Sequence, residues 1–237
     1  IFNYVLSKSI SYCKISDGYY DITVSPLIDL WGFKDYNFYN HPTKDDILKT
    51  LDSVGYKSIS LNDNILNKNN NIKIDLNSIA KGYAVDEIYN YLDSLGFTSY
   101  LIEIGGELRS KGDDAWSVGI KNPQNNSLIG IVSLNNASMA TSGTYNNFFI
   151  NNNIKYSHII NPKTGYPILH KIISVTVITD LCINADAIAT MLMVMDSSKS
   201  LKTINLLDNT ECLIIEEDKE GILNQKLINN FKKYIIK

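Results

Sequence analysis

The chemistry-bearing residues of this chain fall into a few short strings. In the segment NADAIATMLMVM, Asp186 and Thr190 stand four apart, one turn above the other on a single helix face. The residues around them are almost all apolar, so the helix reads as buried, and a carboxylate there costs several kcal/mol unless it is paired or holds a metal. Carboxylate and hydroxyl oxygens are hard ligands suited to Mg²⁺ or Ca²⁺ rather than zinc. The plainer reading is that Asp186 caps its helix and Thr190 bonds back to its own backbone.

A second string, DLNSIAKGYAVDE from Asp75 to Glu87, places Ser78, Lys81, Gly82 and Tyr83 where a strand is expected to pass into a helix. A helix start leaves unpaired N–H groups and the positive end of the helix dipole, which together favour anions and phosphates above all. A packed structural helix would have the same residues. His158, in YSHIINPKTGYP, sits where a strand runs into a turn; it reads as either a catalytic group or a structural hydrogen-bonder. His41 and His170 each stand beside a loop, in weaker settings, and are left out of the candidates. Gly105-Gly106 after LIEI and Thr141-Ser142-Gly143 read as small-residue loops that let backbone approach a ligand, or as ordinary turns. Asp21 in YYDITV is an acceptor for a ligand donor, or a turn acid.

The elements that position these residues follow from periodicity. Helices are expected over 1–15, from Thr43 to about Val54, from the Ser78 junction to Gly96, over 184–195 and 198–207, and over 225–235 at the end. Pro26 breaks any regular strand in YYDITVSPLIDLWGF. Strands are expected over 56–61, 72–76, 99–104, 107–110, 116–121, 129–135, 146–150, 155–160, 173–178 and 212–216. The runs NKNNN and INNN read as polar loops. Helices interspersed among mostly antiparallel strands define an α+β fold, here read as one domain over 1–237.

Composition narrows the classes. The 44% apolar content supports a sizeable core, while a net charge of -3 with scattered lysines argues against nucleic acid; the abundant Asn, Lys and Ile, with Arg109 the only arginine, read as nucleotide composition bias. Three cysteines without metal spacing exclude a disulfide framework or a zinc site as the organising feature. No stretch is long and apolar enough for a membrane helix.

Taken in order, YYDITVSPLIDLWGF, DLNSIAKGYAVDEI, LIEIGGELRSKG, ATSGTYNNFF, YSHIINPKTGYP and NADAIATMLMVM resemble the signature blocks of the ApbE-type FAD:protein FMN transferases. The resemblance implies a T-fold-related α+β domain whose front is shortened here. It implies Mg²⁺ and FAD as the ligands, with the FMN half of FAD moved onto a Thr or Ser hydroxyl of a flavoprotein and AMP released. Residue by residue it implies metal ligands at Asp186, Thr190 and Ser78, and nucleotide contacts at Asp21, Lys81 and Ile160. It places Gly105, Gly106, Thr141, Ser142 and Gly143 near the flavin nucleotide, and gives His158 the catalytic role. Asn161, Thr144 and the pair Asn77-Ser78 depart from the family's usual residues. The expected partner is an envelope flavoprotein of the electron-transport type, and the expected location is the outer face of the cytoplasmic membrane or the periplasm, with a lipid anchor on the full-length protein. FAD pyrophosphatase and non-catalytic FAD-binding readings stay open beside this one. The chain lacks the Asp-Gly-Ala-Thr or Ser-Gly-Ala-Thr string of a modified acceptor, so it resembles the modifier.

Overall fold

The computed structural model describes residues 1–35, 41–69, 71–125, 127–145, 147–152 and 154–237. Along the chain run α1 (Phe2–Ile15), α2 (Ser25–Leu30), α3 (Lys44–Leu51), β1 (Ile59–Asn62), β2 (Ile65–Lys68), α4 (Ala80–Ser94), β3 (Tyr100–Ile104), β4 (Glu107–Lys111) and β5 (Trp116–Lys121). They are followed by β6 (Leu128–Leu134), β7 (Ser138–Gly143), β8 (Phe148–Asn151), β9 (Ile154–Ser157), β10 (Ile172–Thr179), α5 (Cys182–Val194), α6 (Ser197–Ile204), β11 (Glu211–Glu217) and β12 (Leu223–Ile228). Among the described residues no helix is long and apolar enough to cross a membrane. The contacts divide the chain into two compact units, one of Ile1–Ser78 with Asn146–His170, the other of Ile79–Tyr145 with Lys171–Lys237.

The first unit is built from α1 to α3 and two small hairpins, β1–β2 and β8–β9. Thr43 starts α3 through a reciprocal cap: its hydroxyl accepts from the Asp46 N–H, and the Asp46 carboxylate accepts from the Thr43 N–H. Leu27, Trp31, Phe33, Ile47 and Ile160 form the core of this unit. Tyr156 of β9 stacks on Trp31, whose indole N–H donates to the Gly165 carbonyl at 2.8 Å. The strand expected over 72–76 does not form. The Ile72 N–H is tied to the Asn69 carbonyl at 3.1 Å and the Asp75 N–H to the Ile22 carbonyl at 2.7 Å, because IKIDL alternates like a strand but finds no ladder to join. The strand expected over 146–150 is β8; Asn146 lies outside the described residues, as do Asn70 and Asn153 of the two polar runs.

The second unit is a three-layer stack. Its central sheet has the order β12-β11-β10-β7-β4-β3 with every neighbouring pair antiparallel. Against one face lies the β5–β6 hairpin, with Val118, Ile120, Val132 and Leu134 meeting Leu108, Met139, Ile178, Leu213 and Ile215, and Phe231 filling the middle. Full burial of a side chain the size of Phe231 contributes roughly 1.5–3 kcal/mol. The other face carries α4 and α5; Val85, Ile102 and Cys182 pack between them and the sheet.

Two expectations fail in this unit. The segment read as a closing helix forms β12 and a short 3-10 turn over Phe231–Tyr234. Its apolar residues fit a helical spacing, but β11 offers an open edge and β12 pairs along it from Leu223 to Ile228. The segment read as a Thr-Ser-Gly loop is the end of β7, a central strand. Its composition, SMATSG, carries no β-branched or aromatic run, since small residues let α5 lie close over the sheet.

Glu216 on β11 ties the far side of this sheet, accepting from Lys226 at 2.7 Å and from the Ser197 hydroxyl, with Lys171 at 2.9 Å. Burial opposes its ionisation, but these donors outweigh burial and hold the carboxyl down at about 2. Its folded value lies below its unfolded value, so the stability it contributes is present above about pH 4.5 and is lost as pH falls toward about 2. Acid titration followed by circular dichroism should show this loss in the natural protein, and Glu216→Gln should be less stable at neutral pH with a flatter acid profile.

Candidate functional site

The close approach of α4 to α5 builds the site in the second unit. A Cβ on Gly82 would lie 2.3 Å from the Cys182 carbonyl oxygen and 2.8 Å from Asp186 Cβ, so only glycine lets the two helix starts meet. Where they meet, the helices exchange carboxylates. Asp186 of α5 accepts from the Gly82 N–H in the first turn of α4 at 2.9 Å. Asp86 of α4 accepts from the Cys182 and Ile183 N–H groups at the start of α5, at 3.0 and 2.9 Å. Each acid meets the positive end of the other helix. Neither helix has a side-chain cap of its own, so the acids supply what capping residues would. The expectation that Asp186 caps its own helix is therefore replaced by a cap across the pair, and the Gly82 N–H, one of the groups read as an anion site, already holds a carboxylate.

Arg109 on β4 completes the Asp86 end. Its guanidinium is 2.6 Å from the Asp86 carboxylate and stacks on the Tyr89 ring at 3.7 Å. At the other end Lys81 Nζ lies 2.7 Å from both oxygens of Glu107, donating to Oε1. Burial pushes the Glu107 carboxyl up, and the Lys81 hydrogen bond and charge pull against that. Asp186 is 4% exposed, and burial drives its carboxyl up to about 7, opposed by the Gly82 N–H and raised further by the Glu107 charge. A carboxyl raised by burial in this way is stabilised in its charged form by any cation brought beside it.

One turn along α5, the Thr190 hydroxyl is 3.1 Å from the Ser142 hydroxyl of β7. Alternation along β7 splits the Thr-Ser-Gly string. Ser142 points to the helix side, whereas the Thr141 hydroxyl is 2.9 Å from that of Thr176 on the neighbouring strand, on the opposite face with Gly143. Gly105 and Gly106 form the tight β3–β4 turn, both at positive φ, and Glu103 accepts the Gly106 N–H at 2.7 Å. A Cβ on Gly105 would stand 3.5 Å from Lys81 Cδ, so this turn borders the Lys81 side chain.

Lys81, Gly105, Ser142, Asp186 and Thr190 are thus gathered within one unit, with Thr141 and Gly143 turned away from them. Asp21, Ser78, His158 and Ile160 belong to the other unit. There, Asp21 fastens a turn: one oxygen accepts from the Thr23 N–H and hydroxyl at 2.9 and 2.6 Å, the other from the Tyr56 N–H at 2.8 Å. Ser78 donates to the Tyr20 hydroxyl at 2.8 Å. Ile160 is buried in the Trp31 core and bridges to Pro167. His158 Nδ1 lies 3.0 Å from the Asn147 carbonyl, which only accepts, so Nδ1 carries the hydrogen and Nε2 keeps its lone pair. Burial holds this imidazole below the usual histidine range, keeping it neutral.

Sequence reasoning missed Asp86, Glu107 and Arg109. Their signals are present: Asp86 is four residues after Gly82 on the same helix, and Glu107 and Arg109 follow the double glycine at alternate positions of a strand. Among the described residues no three His, Cys, Asp or Glu side chains gather as a metal centre. The donor group here is instead one carboxylate with two hydroxyls, an all-oxygen set that fits a hard divalent cation.

An antiparallel sheet backed by two helices whose starts trade carboxylates, beside hydroxyls and an ammonium, is an architecture suited to a phosphorylated ligand and a hard cation, and the comparisons place it among flavin transferases. The family model described as the ApbE family matches residues 2–214, and the chain belongs to that family. A Haemophilus influenzae protein named FAD:protein FMN transferase is 35% identical over 242 residues, an alignment covering 97% of this chain and 69% of its own length. One of the same name from Vibrio cholerae is 33% identical, covering 98% and 72%. Among solved structures, the ApbE protein of Thermotoga maritima matches with a TM-score of 0.88 at 31% identity over 98% of this chain and 77% of that one. The flavin transferase ApbE of Vibrio cholerae matches with a TM-score of 0.86 at 31% identity, over 98% and 75%.

Because the helix contact at Gly82 has no room for a methyl group, Gly82→Ala should lower the unfolding free energy by about 2–3 kcal/mol, measured by urea denaturation. An unchanged midpoint would mean that the helices separate without cost.

Proposed function

We propose that this chain catalyses Mg²⁺-dependent transfer of the FMN half of FAD to a Thr or Ser hydroxyl of an acceptor protein, with AMP as the leaving group. FAD:protein FMN transfer is the activity that membership of its family assigns to it. What supports the finer reading most is the cluster of the buried Asp186 carboxylate, the Thr190 and Ser142 hydroxyls and the Lys81 ammonium at the start of α4.

In this reading Asp186 and Thr190 hold Mg²⁺, with Ser142 beside Thr190. The bound ion supplies neutralisation of diphosphate oxygens and of the charge gathering on departing AMP. Lys81 holds a phosphate by a charge-assisted hydrogen bond, and the first-turn N–H groups of α4 add the positive end of its dipole. His158 takes the proton of the incoming hydroxyl at Nε2, since its Nδ1–H is committed to the Asn147 carbonyl. Asp21 and Ile160 contribute to the nucleotide site through the backbone they fix. The acceptor in this proposal is an envelope flavoprotein, and the enzyme works on the outer side of the cytoplasmic membrane.

The test is to incubate the full chain with FAD, Mg²⁺ and a candidate acceptor, denature, and look for flavin fluorescence that stays with the acceptor. Covalent flavin that disappears with EDTA is the expected outcome. His158→Ala should slow transfer by about 10²- to 10⁴-fold, the usual contribution of general-base catalysis. Asp186→Asn should raise the Mg²⁺ requirement steeply. Free FMN without adduct would favour water as the acceptor and a pyrophosphatase, and FAD left intact under all these conditions would overturn the proposal.

A further inference from the structure

The Lys81–Glu107 pair joins a half-exposed cation to a buried anion. The Lys81 side chain is 47% exposed, whereas that of Glu107 is 4% exposed, at the start of β4 directly after the double-glycine turn. The ammonium touches both carboxylate oxygens at 2.7 Å, and the turn backbone closes over the pair: a Cβ on Gly105 would stand 3.5 Å from Lys81 Cδ and 3.6 Å from Glu107 Oε2. The next residue along α4, Gly82, gives its N–H to Asp186. Lys81 therefore springs from the helix turn that holds Asp186, and the charges of both Lys81 and Glu107 are felt at Asp186. Yet among the described residues Asp186 forms no ion pair, while its neighbour Glu107 takes the ammonium.

A buried carboxylate without a counter-ion is the strongest attractor for a cation within reach, because low local dielectric magnifies the interaction. Glu103, the other acid at this turn, is exposed and already accepts the Gly106 N–H, so it competes weakly. We propose that Glu107 is a positioning residue that keeps the Lys81 ammonium off Asp186, leaving the Asp186 carboxylate open to a divalent cation. Without Glu107, the flexible Lys81 stem carries its charge to Asp186 and occupies the oxygens the cation needs. The pair also presents Lys81 at the solvent side of the α4 start, where a phosphate can draw it off Glu107. This inference rests on the reading of Asp186 as a cation ligand, and the experiment separates the two.

The experiment is a calorimetric titration of the full chain with Mn²⁺, as a probe for Mg²⁺, on the natural protein, D186N, E107Q, E107D, K81A and the E107Q/K81A double variant, with thermal melts as a check on folding. E107Q should bind Mn²⁺ at least about tenfold more weakly, and E107D, which keeps the anion, within about threefold of the natural protein. K81A alone should change affinity by less than about threefold, yet in the E107Q background it should recover most of the loss, a coupling of the size that adjacent charges show. Equal effects of K81A in the two backgrounds would reduce Glu107 to a remote charge and sink the proposal. If E107Q melts out, the K81A arm decides: tightening by about tenfold or more means that the ammonium already competes at Asp186, which also sinks it. D186N binding Mn²⁺ as tightly as the natural protein would instead defeat the cation reading itself.

Discussion

The contact between two helix starts at Gly82 is the constraint on which the second unit depends. Glycine there brings the Cys182 carbonyl and Asp186 within reach of α4, and that proximity lets each helix satisfy the other's unpaired N–H groups with a carboxylate. The arrangement answers the cost of burying Asp86 and Asp186 among apolar side chains, since both sit at the positive end of a dipole. It does not answer it equally. Asp86 gains the Arg109 guanidinium as well as two N–H groups, whereas among the described residues Asp186 has a single N–H and no ion pair. One acid is a finished structural joint, and the other is held in place but under-compensated.

The first unit shows a different economy of polar groups, in which nearly every candidate residue is tied into local structure. Asp21 spends both oxygens on the Thr23 and Tyr56 backbone, and Ile160 is part of the Trp31 core. His158 is the exception, because its one committed nitrogen leaves the second with a defined lone pair. A nucleotide site can use such residues by the backbone they fix as well as by their side chains.

Much of this was legible in the sequence, and the misses share a cause. The apolar run around Asp186 announced a buried helix carrying an acid and a hydroxyl one turn apart, and α5 is that helix. Thr43 marked the start of α3, a local signal, and the structure adds its reciprocal cap with Asp46. What escaped was set by tertiary pairing and packing that a short window of sequence does not show. β7 lacks strand-like residues because α5 presses on it, and β12 forms because β11 has an open edge. Asp86 and Glu107 take their roles from Cys182 and Lys81, which the fold places beside them. Even the Thr-Ser-Gly string changes meaning once alternation sends Ser142 and Thr141 to opposite faces.

The strand order has a bearing on synthesis at the ribosome. β3 with β4 and β11 with β12 form hairpins closed by nearby residues, but the central pairing of β7 with β10 waits while the chain traverses 146–170 of the other unit. Until Ile172 and its successors emerge, β7 presents an unpaired central edge, a template that any extended chain can occupy. Its small, polar-tinged composition, SMATSG, makes that edge a poor nucleus for aggregation, so the residues that accommodate α5 in the finished molecule also guard the nascent one.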